Sequence, residues 1–267
     1  MSMKLGFIGG KKPEQTEEMA KLARACGYQG LEFDYWSDFE KLTDDAVKAQ
    51  QKTLKNHRVG VSAYGLWGYN HISLNADERA HALKMLDRAI GYAEQLGARA
   101  FVTGGGDLRN EPLGRKVAIF LEVFTPILKR IQSAGMQAAF YAVHGNSFFG
   151  NIESYERVWE HLPDVKMKFD PANWLGAGHD YLAIMQRYGN KIGHFHVKEL
   201  IRIDGRLVSQ PPAGMGEMPW GRILTFLYEH NYDGYLSVEP HRDPWLRGEG
   251  LKKNLVLSKR HLEQFLL

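Results

Sequence analysis

At 267 residues the chain exceeds the common domain size of roughly 100–150 residues but suits a repeating β/α barrel of about 250 residues, so one domain is the default. A composition of 44% hydrophobic, 24% charged and 12% aromatic residues excludes a disordered chain, and a net charge of +3 spread along the sequence gives no nucleic-acid face. The single cysteine, Cys26, excludes an internal disulfide, and the opening MSMKLGFIGG has no apolar run of signal or membrane length, which reads as a cytoplasmic protein with neither membrane nor nucleic-acid partners.

Short β-branched or aromatic runs recur in chain order, each followed by an amphipathic stretch. They are KLGFIGG at 4–10, YQGLEFDY at 28–35, RVGVSAYGL at 58–66, ARAFVTGGG at 98–106, MQAAFYAVHG at 136–145, VKMKFDPAN at 165–173, KIGHFHVKE at 191–199 and YLSVEPH at 235–241. Apolar residues at three- and four-residue spacing mark the helices between them, as at Leu83, Leu86, Ile90, Ala93 and Leu96 ahead of Gly97. Gly27, Gly135 and Gly234 punctuate other units in the same way, and helix followed by strand implies parallel pairing through right-handed crossovers. Eight such units close a parallel sheet, so the predicted architecture is α/β, a single (β/α)8 TIM barrel over residues 1–267. The stretch SQPPAGMGEMPWG at 209–221 is predicted as a long loop after the seventh strand.

In such a barrel the reactive residues sit at the C-terminal ends of the strands. The second strand ends near Glu32 and Asp34, the third runs to Trp67 and His71, the fourth to Asp107, the fifth to His144, the sixth to Asp170 and Asn173, the seventh to His196 and Lys198, and the eighth to Glu239 and His241. Asp170, His196 and Glu239, on successive strands, are expected to converge on one divalent ion, because mixed imidazole and carboxylate donors suit Mn²⁺, Mg²⁺, Co²⁺ or Zn²⁺. Taken alone each has a plainer reading: turn chemistry for Asp170 before Pro171, a hydrogen-bonded core histidine, a salt-bridged strand end. Lys198 and Arg202 could meet an anionic group or hydroxyls, or pair with Glu199, and GGGD at 104–107 lacks dinucleotide-binding spacing and reads as a tight turn.

The runs KFDPAN, HFHVKE and LSVEPH, with GYQGLEF, PAGMGEMPWGRIL and YDGYLSVEP, resemble the xylose isomerase-like TIM-barrel superfamily, in particular its sugar isomerase and epimerase branch. The resemblance implies one divalent metal ion, Mn²⁺ first among the candidates, held by Asp170, His196 and Glu239 with a glutamate on the fifth strand. Matching that branch's Glu-x-His element to His144 puts the glutamate at Ala142, which can neither coordinate nor carry a proton. This alanine reads as a ligand lost in descent or, favoured by the survival of the other three, as an engineered replacement. Asn173 stands where the family has a histidine, and Arg202 falls at a substrate-contacting arginine. His144, Asn173, Arg202, Trp67, His71, Lys198 and Asp107 are the expected substrate-binding residues, for a sugar or keto-sugar with no phosphate-binding loop evident.

The implied chemistry is isomerisation or epimerisation of a ketose: α-proton abstraction through an enediolate, with Glu239 as one acid/base group and position 142 as the other, impaired here by the alanine. A dehydratase or lyase on keto-sugars or keto-inositols would use a closely similar site, and a non-catalytic sugar-binding pseudoenzyme is the reading outside catalysis. A homo-oligomer is left open.

Overall fold

Each apolar run supplies one strand, and the helices between them force parallel neighbours. The computed structural model describes residues 3–9 and 12–267. Among these, β1 (Lys4–Ile8), β2 (Gly30–Tyr35), β3 (Gly60–Leu66), β4 (Ala98–Thr103), β5 (Gln137–Tyr141), β6 (Lys166–Phe169), β7 (Ile192–Val197) and β10 (Tyr235–Val238) form a closed parallel barrel in which β10 returns to pair with β1. The predicted single TIM barrel is therefore the observed fold; Gly10, the last residue of the first run, lies outside the described residues. No helix among the described residues is long and apolar enough to cross a membrane.

The remaining two strands, β8 (Ile201–Ile203) and β9 (Arg206–Ser209), form an antiparallel hairpin ahead of the expected loop. Asp204 (φ 51°) and Gly205 (φ 74°) both take left-handed conformations there, as a two-residue type I′ hairpin turn requires. The loop that follows is drawn onto the barrel by Glu199. Its buried carboxylate accepts from Leu200 N (3.0 Å), Gly214 N (3.0 Å), Met218 N (2.9 Å) and the Trp220 indole (2.8 Å), which fixes the start of α8 (Trp220–Glu229).

Side-chain alternation divides each strand between an outer face covered by helices and an inner face in the lumen. Outside, α4 (Leu113–Ser133) buries Val117, Phe120, Phe124, Leu128 and Ile131 at helical spacing, and Phe120 and Phe124 meet Phe140 of β5 at 5.1 and 5.2 Å. Inside, the lumen has two unlike halves. Ala63, Trp67, Ala100, Val102, Ala139 and Tyr141, from β3 to β5 and the residue just past β3, form an apolar cluster. Trp67 stacks on Tyr141 at 3.9 Å, and an added Cβ at Gly104 would come within 2.3 Å of the tyrosine ring, so glycine is needed beside it. The opposite wall carries Glu32, Lys168, Asp170, His194, His196, Lys198 and Ser237, all buried.

Replacing Glu199 with glutamine puts an amide donor among four N–H groups, three of them buried. We expect Glu199→Gln to lose about 2–3 kcal/mol of stability, read as a lower urea midpoint at unchanged m-value; an unshifted midpoint would show that the loop is held by other contacts.

Candidate active site

The polar wall is built from its floor upward. Glu32, fully buried on β2, accepts from both imidazoles of β7: its Oε2 lies 2.8 Å from His194 Nε2 and its Oε1 2.8 Å from His196 Nε2, with Ser237 Oγ donating to Oε2 as well. Burial alone would raise its pKa, but the two histidines opposing it hold the carboxyl well below the usual range. His196 Nδ1 in turn faces Glu239 Oε2 at 2.8 Å. An imidazole between two carboxylates donates from both nitrogens only when protonated, and against the cost of burial Glu32 and Glu239 push His196 up to about 9. Burial, then the charge of Glu32, pushes Asp34 up to about 7.

Above this floor the ends of β6, β7 and β10 converge. Asp170 caps α6 (Pro171–Gly176), its Oδ1 accepting from Asn173 N at 3.0 Å, which leaves Oδ2 directed at Lys198 Nζ, 2.7 Å away. The same ammonium lies 3.1 Å from Glu239 Oε2, and Lys168 Nζ lies 3.5 Å from Asp170 Oδ2. Glu239 Oε1 accepts from His241 Nε2 at 2.7 Å. Burial disfavours ionised Glu239, but Lys198 and His196 outweigh it and keep the group a carboxylate.

The facing wall comes from the turn after β5. Val143 takes φ 55°, a left-handed conformation rare for a β-branched residue, and the chain doubles back so that Val143 N donates to Phe149 O at 3.0 Å. His144 is thereby laid edge-on to Trp67 and Tyr141, both at 5.4 Å, with Nε2 3.1 Å from the Asn173 amide nitrogen. Burial first, then the charges of Lys168 and Lys198, lowers His144 to about 4, so it is a neutral imidazole near pH 7.

The structure thus brings Asp170, His196, Glu239, Lys198, His144, Asn173 and Trp67 together. Three expected residues go elsewhere. His71 packs its ring edge-on to Phe124 of α4 at 5.7 Å, in the outer shell, with neither ring nitrogen hydrogen-bonded. Asp107 pairs with Lys116 of α4 at 2.7 Å, and its backbone is bracketed by the Asn70 amide. Arg202, on the hairpin, is committed to Glu217 through Nε (3.0 Å) and Nη2 (2.8 Å). Position 142 also differs from expectation. Ala142 lies with Phe140 in the apolar cluster outside the barrel wall, and the residue at the end of β5 that faces the lumen is Tyr141. Tyr141, Lys168 and His194 were not predicted as site residues; the i, i+2 spacing of Lys168 to Asp170 and of His194, His196 and Lys198 is the signal that places them on one face.

Asp170, His196 and Glu239 offer donor atoms within 4.8 Å of one another, a set that fits a divalent ion in kind. His196 would ligate through Nδ1 after giving up the proton it donates to Glu239, its Nε2 being held by Glu32, the carboxylate support common behind metal-bound imidazoles. Lys198 already lies against both carboxylates, so its ammonium and an ion are alternatives for the same oxygens.

Residues 20–261 match the family model described as xylose isomerase-like TIM barrel. An inosose dehydratase from Clostridium tetani is 26% identical over 94 residues, 30% of this chain and 32% of that protein, so the match spans about a third of the relative's length. D-psicose 3-epimerase from Clostridium cellulolyticum H10, solved with D-tagatose, superposes with a TM-score of 0.76 at 16% identity over 98% of this chain and 99% of its own. The IolI protein, solved with a bound zinc atom, gives 0.77 at 15% identity over 98% of each chain. At these identities the structural likeness concerns the fold.

The unpartnered His71 yields a pH test. Burial lowers its pKa to about 3 in the fold against 6.5 unfolded, so its contribution is fully present above pH 6.5 and is lost as pH falls toward 3. Between pH 7 and pH 5 the natural protein should lose about 2 kcal/mol more stability than His71→Phe, measured by urea unfolding at each pH. Parallel losses in the two proteins would contradict a neutral buried imidazole.

Proposed function

Because the chain belongs to the xylose isomerase-like TIM-barrel family, we propose that it is an enzyme of carbohydrates that moves a proton on the carbon beside a carbonyl, isomerising or epimerising a sugar or keto-sugar. The observation that carries this reading is the pairing, across one barrel mouth, of an ionised carboxylate, Glu239, with a neutral imidazole, His144, beside a buried cluster of cationic groups. Deprotonation beside a carbonyl needs a base, a positive group for the developing oxyanion and an acid to return the proton.

Glu239 is the base on one face, kept ionised by Lys198 and His196 and oriented by His241. Glu239, protonated by the abstraction, returns the proton to the neighbouring carbon, while His144 on the other face, a neutral imidazole whose Nε2 accepts from Asn173, offers its Nδ1–H to a substrate oxygen. Trp67 and Tyr141 close the apolar side of the pocket against water, a surface suited to the C–H face of a sugar. A divalent ion such as Mn²⁺, if held by Asp170, His196 and Glu239, would polarise the carbonyl as a Lewis acid. In this reading the fifth-strand position that matters is Tyr141 rather than Ala142.

The partial identity to inosose dehydratases favours a second reading, elimination of water from a keto-inositol by the same proton abstraction. Incubating the protein in deuterated water with a panel of ketoses and keto-inositols separates the two by NMR. Deuterium at the α-carbon with the sugar retained supports the isomerase reading, an unsaturated product supports the dehydratase, and binding without either leaves a sugar-binding pseudoenzyme.

Glu239→Gln should slow the exchange by at least ~10²-fold, the low end for a general acid–base group, measured on the fraction of the variant that remains folded by circular dichroism. Unchanged exchange would remove Glu239 as the base. Ala142→Glu should gain no exchange and lose stability, because its carboxylate would enter the outer apolar cluster; faster exchange in that variant would restore position 142 to the site.

A further inference from the structure

The two carboxylates that would bind an ion are already neutralised from within the chain. Lys198 Nζ lies 2.7 Å from Asp170 Oδ2 and 3.1 Å from Glu239 Oε2, and Lys168 Nζ lies 3.5 Å from the same aspartate oxygen. All four side chains are secluded: relative exposures are 6% for Lys198, 2% for Lys168, 3% for Asp170 and 17% for Glu239. Two ammonium groups thus balance two carboxylates, while Glu32 beneath them is matched by His194 and His196. A divalent ion on these oxygens at about 2.0–2.2 Å would either displace Lys198 or sit beside two buried like charges. Nor does the fifth strand offer compensation, because its lumen residues are Ala139 and Tyr141, the latter stacked on Trp67, with Lys168 lying 5.7 Å over the indole.

We infer that Lys198 is the resident cation of this site, its ammonium bridging Asp170 and Glu239 in the place of a divalent ion and donating a hydrogen bond to the substrate oxygen that becomes negative. The stem of Lys198 leaves β7 two residues after His196, on the same lumen face, so the strand itself delivers the charge. An ammonium stabilises an enolate-like oxygen through hydrogen bonds in a water-poor site, without ligation and without loss on chelation. The last clause of the inference rests on the carbonyl chemistry proposed above; the occupancy of the site by Lys198 does not.

The test is metal binding, which reads the same whether or not a sugar is turned over. The full chain, dialysed against a chelator, is titrated with Mn²⁺ and with Zn²⁺ by calorimetry, and bound Mn²⁺ is counted by electron paramagnetic resonance. The natural protein should show no one-to-one binding tighter than about 1 mM, and Lys198→Met should bind at least about tenfold more tightly, since removing the ammonium frees both oxygens and one like charge. Lys198→Arg, which keeps the charge, should stay with the natural protein. One ion bound at micromolar affinity by the natural protein overturns the inference, as does a folded Lys198→Met that gains nothing. Should Lys198→Met not fold, Lys198→Gln takes its place, and the titration of the natural protein still decides. Tight metal binding with sugar turnover would overturn the role of Lys198 alone, whereas turnover absent both from the metal-free protein and after addition of Mn²⁺ or Zn²⁺ would overturn the functional reading alone.

Discussion

The carboxylate of Glu32 is the constraint on which the polar half of this barrel depends. An ionised group at zero exposure is costly unless it is paired and hydrogen-bonded, and Glu32 meets that condition by joining β2 to both imidazoles of β7 and to Ser237 of β10. The clamp fixes the ring plane of His196, leaving its Nδ1 to face Glu239 and thereby setting the height at which the chemistry occurs. Three strands that touch only through the barrel wall are coupled by one side chain inside it.

From that floor follows the division of the lumen. A wall dense in charge excludes large apolar residues, so the opposite wall supplies the filling: alanines at 63, 100 and 139 make room for the stacked rings of Trp67 and Tyr141. Lys168 bridges the halves, its ammonium over the Trp67 face and near Asp170, a position that satisfies both an aromatic quadrupole and an anion. His144 enters at the seam, and the left-handed turn at Val143 is the backbone irregularity that lays it there.

Much of this is legible in the sequence. Eight punctuated apolar runs announce eight strands because a parallel barrel buries both faces of each, and the rule that strand ends carry chemistry was enough to unite Asp170, His196 and Glu239. The same uniform burial hides parity. In QAAFYAV apolar residues stand on both faces, so nothing in the run says that Tyr141 looks inward and Ala142 outward. His71, Asp107 and Arg202 lie beyond strand ends, where the chain leaves the barrel axis and neighbours such as Phe124, Lys116 and Glu217 decide where a side chain points. The Asp204–Gly205 hairpin is readable from its dipeptide alone, between Ile203 and Arg206.

The two-sided lumen also separates, along the chain, what shapes a substrate from what reacts with it. The rings and small residues that set the pocket's contour come from residues 63–141, whereas the ionisable groups, Glu32, Asp34 and His144 excepted, come from residues 168–241. Contour and reactivity are thus written in different stretches of polypeptide that share one wall seam. Exchange of the first stretch would alter which molecule is admitted while the reacting groups keep their mutual distances, so a barrel of this plan can acquire new substrates in a modular way without re-evolving its chemistry.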